Sequence, residues 1–258
     1  MKTLAIILHY NTPQYTDVLY ELLEPDQDFD KFDLAVVDNG SDLGKESRYT
    51  TYRLDENVFF GGGLNASMEM VMESDQYDSL LFLNSDLIVG KHFVGSLRND
   101  FKKYQGSLRV GEGGKFDIIS PAILQPEKIQ NHWIQMLPHG FHYCRNVDWI
   151  DLQCPLISKR FIQACYEENN KEYFIDPLFL RGWGIDVYWG ILAKKFGWKT
   201  GVCDYTTAIH LGSATLKILG NTNEYCRLAE QGMYEFFNKK GLMKEFTEMR
   251  QWAENYKI

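Results

Sequence analysis

No stretch of this 258-residue chain comes near the roughly 20 consecutive apolar residues that a membrane-spanning helix needs. The apolar run after the N-terminus, "TLAIILHY", is too short for the core of a signal peptide and reads as a first strand. Cysteine is sparse: Cys144, Cys154, Cys165, Cys203 and Cys226 are an odd number, widely spaced, with no CxxC pair. That spacing argues against a disulfide scaffold and a zinc ribbon, and it points to a reducing, cytoplasmic setting. Positive charge is in deficit, with 27 Lys and Arg against 35 Asp and Glu and a formal net charge of −8. A general nucleic-acid binder is disfavoured, because affinity for a polyphosphate backbone rests on clustered Lys and Arg. One small phosphorylated ligand needs only a local site and is compatible with that balance. Internal repeats, low-complexity segments and clear linkers are also missing.

What is present is an ordinary globular composition, 45% hydrophobic and 24% charged, in a chain long enough for one large α/β domain. "TLAIILHY" (3–10) is followed by the breaker "NTP", then by a helix over 14–23 with Tyr15, Val18, Leu19 and Leu22 at helical spacing. "FDLAVVDNGSD" is a second buried strand, "TTYRLDEN" is β-like, and "FFGGGLNASMEMVMES" runs from a glycine turn into a helix. "SLLFLNSD" is a further strand, and residues 92–104 carry Phe93, Leu97, Phe101 and Tyr104 at helical spacing. This alternation predicts a mainly parallel sheet with helices on both faces. Residues 105–145 change texture, rich in Gly, Pro and His with short strands such as "FDIIS". "VDWIDLQCPLIS" leads into a helix near Ser158, and "GWGIDVYWGILAKKFGW" is a second turn-to-helix unit before the strand "TGVCDYTTAIH". Residues 222–256 read as one or two C-terminal helices.

The polar residues fall at strand ends. Asn11 closes the first predicted strand, Asp38 and Asn39 the second; Asn57 follows the third, and Asp86 interrupts the apolar stretch "LFLNSDLIVG" after the fourth. Each alone is an ordinary turn residue. Together they would converge on the crevice beyond the carboxyl ends of the strands, where open parallel sheets bind ligands. "GGGLNAS" (61–67) opens a helix whose bare amides favour phosphate oxygens. It lacks both the Gly-Lys-Ser/Thr of a P-loop and the G-x-G-x-x-G that follows a first strand in dinucleotide enzymes.

Taken together, "AIILHYNTP", "VVDNGSD", "NVFFGGGLNAS", "LFLNSDLIV" and "GWGIDVYWGILAKKFGW" resemble blocks of family 2 glycosyltransferases of the GT-A fold, and most of all bacterial rhamnosyltransferase-like members. The resemblance spans about residues 3–210 and implies a Rossmann-like, mainly parallel sheet flanked by helices. It implies a GT-A domain over 1–215, with a nucleotide-binding half (1–104) and an acceptor and catalytic half (105–215), and a C-terminal helical extension over 216–258. The implied function is an inverting, metal-dependent hexosyl or deoxyhexosyl transfer in cell-surface polysaccharide biosynthesis. The donor would be a UDP- or dTDP-linked sugar, and the acceptor a hydroxyl of a glycan or lipid-linked molecule.

By the same resemblance His9, Asn11 and Asp38 hold the base and ribose. Asn57, Gly61, Gly62, Gly63 and Asn65 sit by the sugar-diphosphate. "NSD" stands where the family has a DxD-like motif, with Asp86 as ligand to Mn²⁺ or Mg²⁺ and Asn84 in place of the first acid. His210 is a second metal or diphosphate contact, with a turn histidine as the alternative. Asp186 is the base, with an N-terminal capping role as its alternative and Asp176 or Asp204 as substitutes. Ile185 replaces the acid that family members commonly carry before it. Trp183 offers a ring to a sugar face, or fills core.

Two features stand apart. His132, His139, His142 and Cys144 match no standard zinc spacing and read as an acceptor-side loop. "NKKGLMK" (238–244), beside Tyr234, Phe236 and Phe237, is a solvated helix end with the composition for a weak contact at the inner face of a membrane. Competing functions are a nucleotidyltransferase, for which "HYNTPQY" lacks the basic first loop, and a noncatalytic nucleotide-sugar-binding subunit, kept open by Asn84 and Ile185.

Overall fold

A computed structural model of the chain describes residues 2–26, 31–106, 116–124, 133–212, 218 and 220–257. The first half runs β1 (Lys2–His9), α1 (Pro13–Leu23), β2 (Phe32–Asp38), β3 (Tyr52–Arg53), α2 (Phe59–Glu73), β4 (Tyr77–Asn84), β5 (Leu87–Val89) and α3 (Phe93–Gly106). The second half continues with β6 (Phe116–Leu124), β7 (Cys144–Val147), β8 (Leu156–Ser158), α4 (Lys159–Glu168), α5 (Ile185–Lys195), β9 (Lys199–His210), α6 (Thr222–Lys240) and α7 (Met243–Glu254).

The strands form one sheet in the order β3-β2-β1-β4-β8-β6-β9-β5, with β7 added alongside β9. β1 lies parallel to both β2 and β4, in the register Ile6↔Ala35 and Ile6↔Phe82. Ala5, Ile6 and Ile7 are fully buried. A strand covered on both faces has no polar side to offer, which is why "LAIIL" reads as a continuous apolar run. Burying each of the two isoleucine side chains contributes roughly 1.5–3 kcal/mol. Beyond β4 the sheet turns mixed: β8 is antiparallel to β4 and β6, while β6 and β9 are parallel. This is the α/β architecture that the strand-helix alternation predicts.

Two registers bring distant strand ends together. At the β1/β4 junction, where the chain order reverses, Leu8 pairs with Asn84 and His9 with Asp38, so three strand ends align. On the far side, β5 runs antiparallel to β9 and pairs Leu87 with His210.

The C-terminal helices share the main core. Phe236 and Phe237 are fully buried, and the Phe236 ring lies 4.1 Å from that of Phe179 and 4.7 Å from that of Tyr188. The Trp149 indole N–H donates to the Met249 carbonyl at 3.1 Å, tying α7 to the segment before β8. Of the aromatic residues beside the basic stretch 238–244, only Tyr234 is therefore exposed. No helix among the described residues is long and apolar enough to cross a membrane.

Cysteine spacing misleads at one point. Cys144 and Cys203 form a disulfide, because antiparallel pairing of β7 with β9 sets them directly opposite each other. Pairing register is invisible to a count of cysteines. Cys154, Cys165 and Cys226 are free; the first two are buried, and burial pushes their thiols up.

Candidate active site

A cavity of about 540 Å³ opens beyond the ends of β1 and β4, a size ordinary for a small-molecule site. One end is lined by His9, Tyr10, Asn39, Asn57 and Phe59, the middle by Asn84, Ser85, Asp86 and His210. At the other end stand Trp133, Asp151, Trp183, Asp186 and Arg250.

At the first end the side chains hold one another before they hold any ligand. The His9 Nε2–H donates to the Lys45 carbonyl at 2.9 Å, so Nδ1 is the acceptor for the Thr16 hydroxyl at 2.7 Å. Burial lowers the His9 pKa against the pull of the Lys45 carbonyl and nearby carboxylates, so the ring is neutral at pH 7. Asn39 donates to the Asn57 side chain and the Phe59 carbonyl, both at 3.1 Å, and accepts from the Val58 amide, which fixes the entry into α2.

Asn11 and Asp38 stand one step outside the cavity lining. Asn11, in left-handed backbone (φ 54°), exchanges two hydrogen bonds with Asp42. Asp38 is fully buried, accepts from the Ser41 amide at 2.9 Å and lies 3.3 Å from the Arg53 guanidinium. Both shape the turn after β2; their neighbours Tyr10 and Asn39 face the cavity.

The glycine run is a correction. Gly61, Gly62 and Gly63 lie within α2, not in a loop, and are not among the residues that line the cavity. The Gly61 amide donates to the Leu180 carbonyl at 2.7 Å, and a Cβ there would stand 2.5 Å from the Phe179 carbonyl oxygen. Gly63 makes room in the same way for the Leu8 side chain. Asn65 accepts from the amides of Phe174 and Ile175 at 2.8 and 3.1 Å. These residues clamp α2 against the segment that leads into α5. Glycine there serves close approach of protein to protein.

In the middle of the cavity, Asp86 Oδ1 lies 3.1 Å from His210 Nε2, with the Asn84 amide 3.5 Å from the same nitrogen. The Leu211 amide donates to the Asp86 carbonyl, locking the two segments together. One carboxylate and one imidazole within reach of a shared point, beside a side-chain amide, are oxygen and nitrogen donors that fit Mn²⁺ or Mg²⁺. Another cluster with metal-type ligands, Asp100 beside Cys144 and Cys203, has both sulfurs joined in the disulfide. His139 donates to the Ile134 carbonyl and His142 is exposed, so neither joins Cys144 in a metal site; His132 lies outside the described residues.

Asp186 stands in the first turn of α5, and Lys194 and Lys195 in its last, both ends matching the helix dipole. The N-cap is Gly184 (φ 89°), where a Cβ would meet Met233 and Phe179 within 3 Å. Asp186 is therefore not the cap, and its Oδ1 instead accepts from the Val187 amide at 2.9 Å. Burial, with the Asp151 carboxylate adding to it, pushes the Asp186 acid up to about 7, against the amide bond and Arg250. A carboxyl poised near neutral pH suits proton transfer. The two substitute bases are structural. Asp176 caps the short turn Pro177–Phe179, and Asp204 is bonded to Arg145 and to the amides of His139 and Phe141. Trp183 is exposed and lines the cavity, so its role is at the surface, not in the core.

Several cavity residues had no signal in the sequence. Arg181 lies over the Phe59 ring at 4.6 Å, and Arg250 over the Trp133 ring at 4.9 Å. Asp151 accepts from the Gln153 amide at 2.8 Å. None sits in a recognisable motif, and Arg250 comes from the last helix.

No protein-family model matches the chain, and no curated protein matches it. Solved structures do. The S. aureus TarS 1-349 complex with UDP-GlcNAc superposes with a TM-score of 0.52 at 14% identity, over 92% of this chain and 73% of that one. The TarS 1-349 complex with UDP gives 0.51 at 13% identity, over 100% and 76%. A longer S. aureus TarS gives 0.53 at 13% identity, over 92% and 44%. The chain thus shares the α/β fold of these structures, a mostly parallel central sheet flanked by helices.

Proposed function

We propose that the protein is an inverting glycosyltransferase that moves a sugar from a nucleoside-diphosphate-sugar to an acceptor hydroxyl. The observation that carries this reading is one cavity at the strand ends of a GT-A-like sheet that holds both the Asp86–His210 pair and a near-neutral Asp186. TarS structures with UDP-GlcNAc and UDP support a nucleotide-sugar as donor class. The nucleotide would enter at the His9, Asn39 and Asn57 end, with its diphosphate over Asp86 and His210.

In the reaction the acceptor oxygen bonds to the anomeric carbon as the bond from that carbon to the diphosphate oxygen breaks. The hydroxyl proton passes to Asp186, and the nucleoside diphosphate leaves. A divalent cation held by Asp86 and His210 would offset the charge that develops on the leaving group. Trp183 gives the incoming sugar an apolar face. A hexosyl or deoxyhexosyl donor linked to UDP or dTDP, a glycan or lipid-linked acceptor of cell-surface polysaccharide and a cytoplasmic setting at the inner membrane face complete the proposal.

Asn84 and Ile185 favour a second reading, a noncatalytic nucleotide-sugar binder. Incubating the protein with UDP- and dTDP-sugars and Mn²⁺ separates the two. Release of nucleoside diphosphate supports the enzyme; tight binding without turnover under any acceptor would support the binder.

A further inference from the structure

Asp186 does not work alone at its end of the cavity. Asp151 reaches the same space from the segment between β7 and β8, and Arg250 from α7. We infer that Asp151 and Arg250 are positioning residues for Asp186, an anion and a cation that act with opposite sign on its uptake of the acceptor proton. This inference rests on the reading of Asp186 as the base.

The geometry gives each residue a fixed place. Asp151 is held by the Gln153 side chain at 2.8 Å, while the Gln153 carbonyl accepts from the Asn84 amide at 3.0 Å. Its backbone amide faces the Met136 sulfur. Arg250 is stacked between the rings of Trp133 and Phe246. Its helix is fastened by the Trp149 bond to Met249, one residue away. Two aromatic rings thus position the guanidinium at the cavity wall.

The other charged or titratable groups lining the cavity are His9, Tyr10, Asp86 and His210 at or beyond the strand ends, Arg181 before α5, and Tyr225 on α6. Tyr225 donates to the Arg181 carbonyl, and burial pushes its phenol up to about 12, so it stays neutral. Burial is the largest influence on the Asp186 carboxyl; among the charges, Asp151 helps hold its proton on and Arg250 draws it off. A base tuned this way gains proton affinity from Asp151 and remains ionisable because of Arg250. The last helix is therefore part of the active site.

The test needs no substrate. In ¹³C-labelled full-length protein, the carboxyl carbon of Asp186 is the signal removed by Asp186→Asn, and its pH midpoint can be read directly. Asp151→Asn should lower that midpoint by about one unit, and Arg250→Gln should raise it by a similar amount. Arg250→Lys should restore most of the wild-type value. The acid limb of the transfer rate should move in the same two directions. A midpoint unmoved in either folded variant, or moved the same way in both, overturns the inference. Should Asp151→Asn fail to fold, the Arg250 pair decides alone. Carbon shifts as expected with no transfer by the wild type would sink the enzyme reading and leave the electrostatic one standing.

Discussion

Asp86 and His210 stand 3.1 Å apart although they lie in different halves of the chain. The contact exists because the short strand β5, which comes directly after "NSD", pairs antiparallel with the end of β9. The apolar resumption "LIV" after the carboxylate is what holds the pair together.

From that contact, Asp86→Ala should lose metal-dependent affinity for nucleoside diphosphates and stay folded. Titration with UDP, with and without Mn²⁺, measures it. An unchanged metal dependence would remove Asp86 from the metal site. His210→Ala should weaken binding most with Mn²⁺, because imidazole suits that ion better than Mg²⁺.

Asp186→Asn should keep its fold and its donor affinity and lose transfer by roughly 10²-fold or more. Near-normal transfer by this variant would end the case for Asp186 as base. The wild-type rate should rise with pH through about 7 as the carboxyl ionises.

The same raised acid carries a stability signature. Folded Asp186 holds its proton to higher pH than the unfolded chain does, so stability falls as pH climbs from the ordinary carboxylate range through about 7. Asp186→Asn removes that loss. Its melting temperature relative to wild type should be higher at pH 8 than at pH 5; a constant difference would contradict the raised acid.

Asn65→Ala should destabilise by roughly 1–3 kcal/mol, since two backbone amides lose their acceptor. Donor affinity of the folded protein should be unaffected, because Asn65 faces the 174–175 segment. A selective loss of nucleotide binding with normal stability would return the glycine-Asn block to the ligand.

Reduction of Cys144–Cys203, or Cys144→Ser with Cys203→Ser, should cost about 2–4 kcal/mol, the usual scale for a native bridge. Denaturant melts with and without reductant test this. Equal midpoints would mean that the thiols are free in solution.

Part of the cavity lining was legible in the sequence. A polar residue that breaks a buried apolar strand must leave the sheet at its end, so "NSD" and the turn after "VVD" were bound to gather near the crevice. "GWGID" announced a helix start, because glycine before a run of large apolar residues permits the left-handed N-cap. The glycine block misled for a physical reason: glycine allows close approach, and nothing local says whether ligand or protein does the approaching. Here it is Leu180 and Leu8.

Local hydrophobic period and turn chemistry were enough to set the strand-helix alternation, the buried β1, and which carboxylates leave strand ends. They could not say that Asp86 meets His210, that Cys144 meets Cys203, or that Asp151 and Arg250 line the same cavity as Asp186. Those meetings depend on strand register and on where the last helix docks. Such contacts are set by long-range packing, and no local pattern encodes them.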